Sequence, residues 1–305
     1  MITMNPMTKG PLRSVTHFER KIGGAELNFA VACARLGLSC RWISRLGNDE
    51  FGRVIYNFAR GEGLDMSAVT FVDGFPTSIN FKSINEDGSG ETFYYRFQSP
   101  ILTLTVEDIK EDWFDDIQLV HLTGVFLAIA PNNREIVRKI IHCAKKRNIP
   151  ISFDPNLRLK LWPLEEAASL CKEIISEADL VLAGHDEMQL IFSTASQRDW
   201  AQIAEQYQLT ELVIKQGERG AMLYREGQWI EKEAFKVKVV DTVGAGDGFD
   251  AGYIYAYLNR YDPEKRLIFA NGVGALVTTV SGDNEGLPYL EEVEAFIYNK
   301  RTIER

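Results

Sequence analysis

Asp241-Thr-Val-Gly244-Ala245-Gly246-Asp247 is the stretch whose residue types and spacing most directly suggest chemistry. It follows Phe235-Lys-Val-Lys-Val239, where apolar residues alternate with lysines as in a half-exposed strand. It precedes a helical pattern that runs from near Asp247 to about Asn259. Glycines between a strand and a helix free backbone N–H groups to point at one spot, and the helix N-terminus adds partial positive charge there. Such a turn can cradle a phosphoryl group while negative charge shifts during transfer. Asp247, in the first helical turn, is placed to take the proton from an attacking hydroxyl. A plainer alternative gives Gly244 and Gly246 only a tight turn and Asp247 only a helix cap. The length of the motif favours the chemical reading. The spelling is neither a Walker A loop, for it lacks Gly-Lys-Ser/Thr, nor the Rossmann glycine fingerprint.

The elements that must hold this turn can be read from periodicity. Short apolar runs occur at Leu119–Thr123, Ile149–Phe153, Leu180–Ala183 and Leu212–Lys215, spaced by 30, 31 and 32 residues. That is the length of a βαβ repeat. Helical patterns lie between them, as in Asn133–Arg147, where Ile136, Ile140, Ile141 and Ala144 share one face. The expected fold is therefore α/β, with a mostly parallel central sheet covered on both faces. Ligands in such folds gather beyond the carboxyl ends of the strands. Thr123-Gly124, Asp154-Pro155-Asn156, Gly184-His185 and Gln216-Gly217 stand at those positions. Phe71–Phe81 and Glu91–Phe97, rich in aromatic and β-branched residues, flank Asn85-Glu-Asp-Gly88 as in a hairpin. With Val15–Ile22 they predict a small β lid, over roughly 12–22 and 71–98, inserted in a single domain spanning 1–305.

Composition excludes several function classes. The chain holds 34 Lys and Arg against 43 Asp and Glu, a net charge of −9. Without long basic runs it lacks the footprint of a duplex-nucleic-acid or anionic-membrane binder. No apolar run is long enough to cross a bilayer. Four scattered cysteines form no C-x-x-C pair, and the histidines stand apart, so neither a disulfide framework nor a Cys-based zinc site is expected. A reducing cytoplasm is the expected compartment.

Asp-Thr-Val-Gly-Ala-Gly-Asp resembles the C-terminal signature of the ribokinase (PfkB) carbohydrate-kinase family. A second family signature is matched by Gly23-Gly24-Ala-Glu-Leu-Asn28, continuing through Ala34-Arg-Leu-Gly37 to Leu46-Gly-Asn-Asp-Glu-Phe-Gly52. The two lie in the family's order near opposite ends of the chain. The resemblance implies a three-layer ribokinase-like body with a β lid, and an ATP- and Mg²⁺-dependent kinase acting on a sugar hydroxyl. Carried over by motif, Asp247 would be the catalytic base, and Gly244, Ala245 and Gly246 the anion hole for the γ-phosphoryl group. Lys215-Gln-Gly217-Glu-Arg-Gly220 resembles the family's nucleotide loop, Asn156 and Arg158 follow a strand end on the nucleotide side, and Asn271 sits where the family often contacts adenine. Metal ligands are not identified by any motif.

Gly23, Gly24 and Asn28 match the family's sugar-binding motif. Three further segments resemble the members that phosphorylate 2-keto-3-deoxygluconate: Phe93-Tyr94-Tyr95-Arg96, Asp154-Pro-Asn-Leu-Arg158, and Ser281-Gly-Asp283-Asn-Glu-Gly286. Arg96 and Arg158 could each make charge-assisted hydrogen bonds to a carboxylate or phosphate. The expected function is thus transfer of the γ-phosphoryl of ATP to the terminal hydroxyl of that sugar acid. A fructokinase, a ribokinase and a catalytically silent sugar-binding relative are the alternatives. Family members open with a β-strand ending in Gly-Glu or Gly-Asp, roughly ten residues ahead of the segment resembling Met4-Asn-Pro; a central strand reduced here to its tail would leave backbone groups unpaired and predicts low stability or weak activity. Exposed aromatic lid strands predict a homo-oligomer formed through the lid.

Overall fold

The computed structural model describes residues 1–84 and 90–298. Its strands are β1 (Ile2–Pro6), β2 (Phe18–Ile22), β3 (Ser44–Gly47), β4 (Val69–Val72), β5 (Ile79–Lys82), β6 (Thr92–Tyr95), β7 (Val120–Thr123), β8 (Ile151–Asp154), β9 (Leu180–Gly184), β10 (Glu211–Lys215), β11 (Ala221–Arg225) and β12 (Gln228–Lys232). Its α-helices are α1 (Ala25–Arg35), α2 (Glu50–Gly61), α3 (Gly124–Ile129), α4 (Asn133–Lys146), α5 (Leu164–Ile175), α6 (His185–Phe192), α7 (Gln197–Gln206), α8 (Ala245–Leu258), α9 (Pro263–Val277) and α10 (Leu290–Ile297).

The main sheet runs β12-β11-β10-β9-β8-β7. Strands β7 to β10 are parallel, and β11 and β12 add as an antiparallel edge. The four apolar runs read from the sequence are these four parallel strands. Their side chains alternate between two cores. Leu180, Leu182, Val213 and Leu223 face α1, α8 and α9, whereas Val181, Ala183, Leu212, Ile214 and Met222 face α4 to α7. A strand buried on both faces reads as a continuous apolar run, which is why β8, β9 and β10 were visible, while β7, half-buried at Val120 and His121, showed by its spacing. Helix α8 lies close to α9 because a Cβ on Gly252 would stand 2.8 Å from Val273 Cγ2, and one on Gly248 2.8 Å from Val277 Cγ2.

A separate four-stranded lid has the order β2-β1-β5-β6. β5 and β6 pair as the expected hairpin, Ile79 opposite Tyr95 and Lys82 opposite Thr92. The turn assigned to Asn85–Gly88 lies outside the described residues. Three expectations are corrected. The lid's inner strand β1 comes from Ile2–Pro6, a segment not assigned to the lid, and Leu12–Ser14 is a single 3₁₀ turn. Phe71 and Val72 belong to β4, which pairs in parallel with β3 rather than with the lid. Residues 235–239 form no strand: β12 ends at Lys232, and Phe235 turns inward against Phe296, with ring centroids 5.0 Å apart. Helix α8 begins at Ala245, two residues before the expected start.

Candidate active site

Gly244 starts α8 with φ of 77°, a left-handed conformation that favours glycine. A Cβ at Gly244 would collide with the main-chain oxygen of Asp283, and one at Gly23 with the Asp283 carboxylate. Three segments distant in sequence thus close on one another because two of them lack side chains there. Among the described residues the first-turn N–H groups of Gly246 and Asp247 have no main-chain acceptor; the bond from Gly248 N to Gly244 O at 2.8 Å begins the regular ladder. This leaves the N-terminal end of α8 able to receive an anion.

Asp247 is half-buried at that end. Asn28, on α1, donates from Nδ2 to Asp247 Oδ2 at 2.9 Å, and Asn156 donates to Oδ1 at 3.4 Å. Burial lifts the Asp247 carboxyl up to about 7; the charge of Asp154 adds to the lift, while the Asn28 hydrogen bond, Lys215 and Arg158 oppose it. A carboxyl poised there can hold or release a proton near neutrality. Asn156 owes its position to a left-handed turn, φ 37°, in which its N–H donates to Asp154 Oδ1 at 3.1 Å.

Below the turn lies a buried charge cluster that the sequence did not announce as one. Lys215 Nζ sits 3.0 Å from both carboxylate oxygens of Asp250 and 3.2 Å from Asp154 Oδ2. Burial alone would push this ammonium down, but Asp154, Asp250 and Glu187 more than offset it and hold its pKa above the ordinary range. The ammonium expected to face nucleotide phosphates is therefore engaged by two carboxylates. Asp250 stands three residues after Asp247 on the same apolar helix, a spacing that could have signalled the cluster.

A cavity of about 350 Å³ joins the sugar-motif residues to the turn. Gly23, Gly24, Asn28, Tyr94, Arg96, Arg158, Gly244, Asp247 and Asp283 all line it. Lys82, which sequence reasoning missed, lines it too and bridges from the lid to Asp283 Oδ1 at 2.8 Å. Alternation along β5 could have found it, since Asn80 and Lys82 lie on the same lid face as Tyr94. The Arg96 guanidinium lies 4.2 Å from the centre of the Tyr94 ring and reaches Met1 Sδ at 3.7 Å, while its buried Nε has no hydrogen-bond partner among the described residues. Burial lowers its pKa, and Arg158 adds to that effect, against Tyr94 and Glu26. Arg158 donates a long bond, 3.4 Å, to the Leu157 carbonyl oxygen.

Gly217 and Gly220 shape the β10–β11 loop, both with positive φ, and do not wall this cavity. Asn271, buried on α9, donates from Nδ2 to the carbonyl oxygens of Lys232 and Glu233 at 3.1 Å each. Among the described residues no group of three acidic, His or Cys side chains stands ready to hold a metal ion. Among the described residues no helix is long and apolar enough to cross a membrane.

The family model for pfkB family carbohydrate kinases matches residues 1–290. The 2-dehydro-3-deoxygluconokinase of Thermoproteus tenax is 33% identical over 97% of this chain and 91% of its own length. That of Bacillus subtilis (strain 168) is 32% identical over 96% and 92%. A crystal structure of a putative ribokinase II from E. coli, in complex with ATP and Mg²⁺, superposes with a TM-score of 0.90 at 25% identity, covering 98% of this chain and 96% of that one. The chain belongs to the pfkB family of carbohydrate kinases. Its fold is ribokinase-like, and its activity class is phosphoryl transfer to a carbohydrate.

Proposed function

We propose that this kinase transfers the γ-phosphoryl group of ATP to the terminal hydroxyl of 2-keto-3-deoxygluconate. The observation that carries the acidic acceptor is Arg96: a half-buried cation lining the cavity that holds Asp247, whose Nε has no hydrogen-bond partner and which forms no ion pair among the described residues. An unpaired buried charge is costly, and a substrate carboxylate would supply the missing ion. The names of the two curated relatives support the same acceptor.

In this reading the sugar acid lies between lid and body, its carboxylate on Arg96 and Arg158 beside Tyr94, its hydroxyls near Gly23, Gly24, Asn28 and Asp283. Asp247 takes the proton of the terminal hydroxyl. That oxygen bonds to the γ-phosphorus as the bond to the leaving ADP breaks, and the N–H groups of Gly246 and Asp247 receive the shifting charge. Mg²⁺ would neutralise phosphate charge. The nucleotide would lie along the loop of Gly217 and Gly220 and past Asn156; Lys215 would act from beneath, through Asp154 and Asp250, and Asn271 by anchoring residues 232 and 233. The exposed lid aromatics would join two copies, and the free cysteines suit a reducing cytoplasm. Arg96→Ala tests the acceptor: kcat/KM for the keto acid should fall about 100-fold, as for a lost charge-assisted pair, while any residual turnover of fructose stays within a few-fold. Equal loss on both sugars would contradict the assignment.

A further inference from the structure

Lys82 lies outside every motif that marks the site. On β5 it shares one lid face with Asn80, and Thr92 and Tyr94 stand opposite those two on β6; all four line the cavity. Its ammonium donates to Asp283 Oδ1 at 2.8 Å, joining the lid to the body. The two side chains are exposed by only 16% and 11%, so water and salt screen the pair weakly.

Asp283 in turn touches the two glycine motifs. Its main-chain oxygen packs on Gly244 at the head of α8, and its Oδ2 lies against Gly23. Two further bonds tie the turn around it to the lid. Lys21 donates to Ser281 O at 2.9 Å, and Asn284 donates from Nδ2 to Ile22 O at 2.6 Å. Both sit at the root of the lid, where β2 runs into Gly23. Lys82 comes from farther out, one position beyond the row Arg20, Met4 and Phe81. A lid swinging about its root would part Lys82 from Asp283 first.

We propose that Lys82 is a positioning residue for phosphoryl transfer. With the lid against the body it holds Asp283 Oδ1, which fixes the carboxylate rotamer and leaves Oδ2 to accept a hydroxyl of the acceptor. The same contact keeps the turn behind Asp283 seated on Gly244, so lid, acceptor and anion-binding turn come into register together. Without the ammonium, Asp283 would share the cavity with Asp247 as a second, uncompensated carboxylate. The inference rests on the acceptor lying between lid and body, as proposed above.

The test compares Lys82→Met, Lys82→Arg, Asp283→Asn and the double variant Lys82→Met with Asp283→Asn. Each is assayed on whichever of 2-keto-3-deoxygluconate, fructose and ribose the parent chain phosphorylates. Lys82→Met should raise the acceptor KM about 30-fold, as for one partner lost from a buried charge pair, while the Kd for ATP without acceptor stays within about twofold. Lys82→Arg, which keeps the charge, should recover KM to within about fivefold of the parent. Added to Asp283→Asn, Lys82→Met should cost less than about threefold more, because it acts through Asp283. An unchanged KM in Lys82→Met would overturn the proposal. So would full additivity, which would make Lys82 a direct contact of the acceptor, and so would a parallel loss of ATP affinity and Tm, which would make the pair structural. A preferred sugar other than the keto acid would defeat that assignment and leave this comparison standing. A parent chain that phosphorylates none of the three would defeat the acceptor placement and this inference with it.

Discussion

Asp247 must be ionised to accept a proton, yet its surroundings favour the neutral acid. With its carboxyl lifted to about 7, kcat should rise as pH climbs through about 7 and flatten above it. Stability runs the other way. Between the unfolded value near 3.8 and about 7 the folded state binds the extra proton, so this group's contribution is complete below 3.8 and is lost as pH rises through 7. Asp247→Asn should therefore lower kcat by about 10³-fold while raising Tm at pH 8 by about 2 °C. Loss of activity with a lowered Tm would mean that the carboxylate is structural. The residue itself is legible in sequence, because glycines before it announce a turn into a helix. Its lifted pKa is not, since the burial that lifts it is made by the fold, and Asp154, which adds to the lift, reaches it from β8. The same reason hid the engagement of Lys215: only the fold shows which carboxylates surround an ammonium.

Among elements, β10 joins the sheet to the helices that cover it. Its Glu211, fully buried, accepts from Tyr253 OH at 2.7 Å on α8 and from Arg225 at 3.2 Å on β11, and it pairs with Arg266 on α9. Removing one partner of a buried ion network leaves the others uncompensated. Glu211→Gln should destabilise the chain by about 3 kcal/mol, read as a shift in the urea midpoint, with KM for both substrates unchanged. A stability loss below about 1 kcal/mol would show that this network is incidental. The doubly buried strands were legible because their apolar runs recur at the βαβ interval. The alternation at residues 235–239 misled, because alternation marks a strand only where a neighbouring strand offers its edge. β1 and β4 were missed for a related reason: partner choice among short strands is decided by distant contacts.

At the scale of the molecule, the lid closes over the body through Lys82 and Asp283, and its outer side presents Phe93, Tyr95 and Phe97, exposed by 43%, 57% and 82%. Apolar surface of this kind on a strand edge invites pairing. The chain should sediment as a dimer, and joint Tyr95→Ser and Phe97→Ser replacement should yield monomers without lowering Tm; a monomeric parent chain would refute lid pairing. The lid's existence was legible from its aromatic hairpin and from Val15–Ile22, while its four-strand order was not, since β1, unassigned in the sequence, enters between β2 and β5. The central claim is the acceptor. The most direct test is ATP- and Mg²⁺-dependent ADP release by the full chain with 2-keto-3-deoxygluconate, fructose and ribose side by side. Turnover with the keto acid at least 100-fold above either neutral sugar is expected from Arg96, whose Nε has no hydrogen-bond partner among the described residues and which lines the cavity with Asp247. Comparable or faster turnover of fructose or ribose would contradict it.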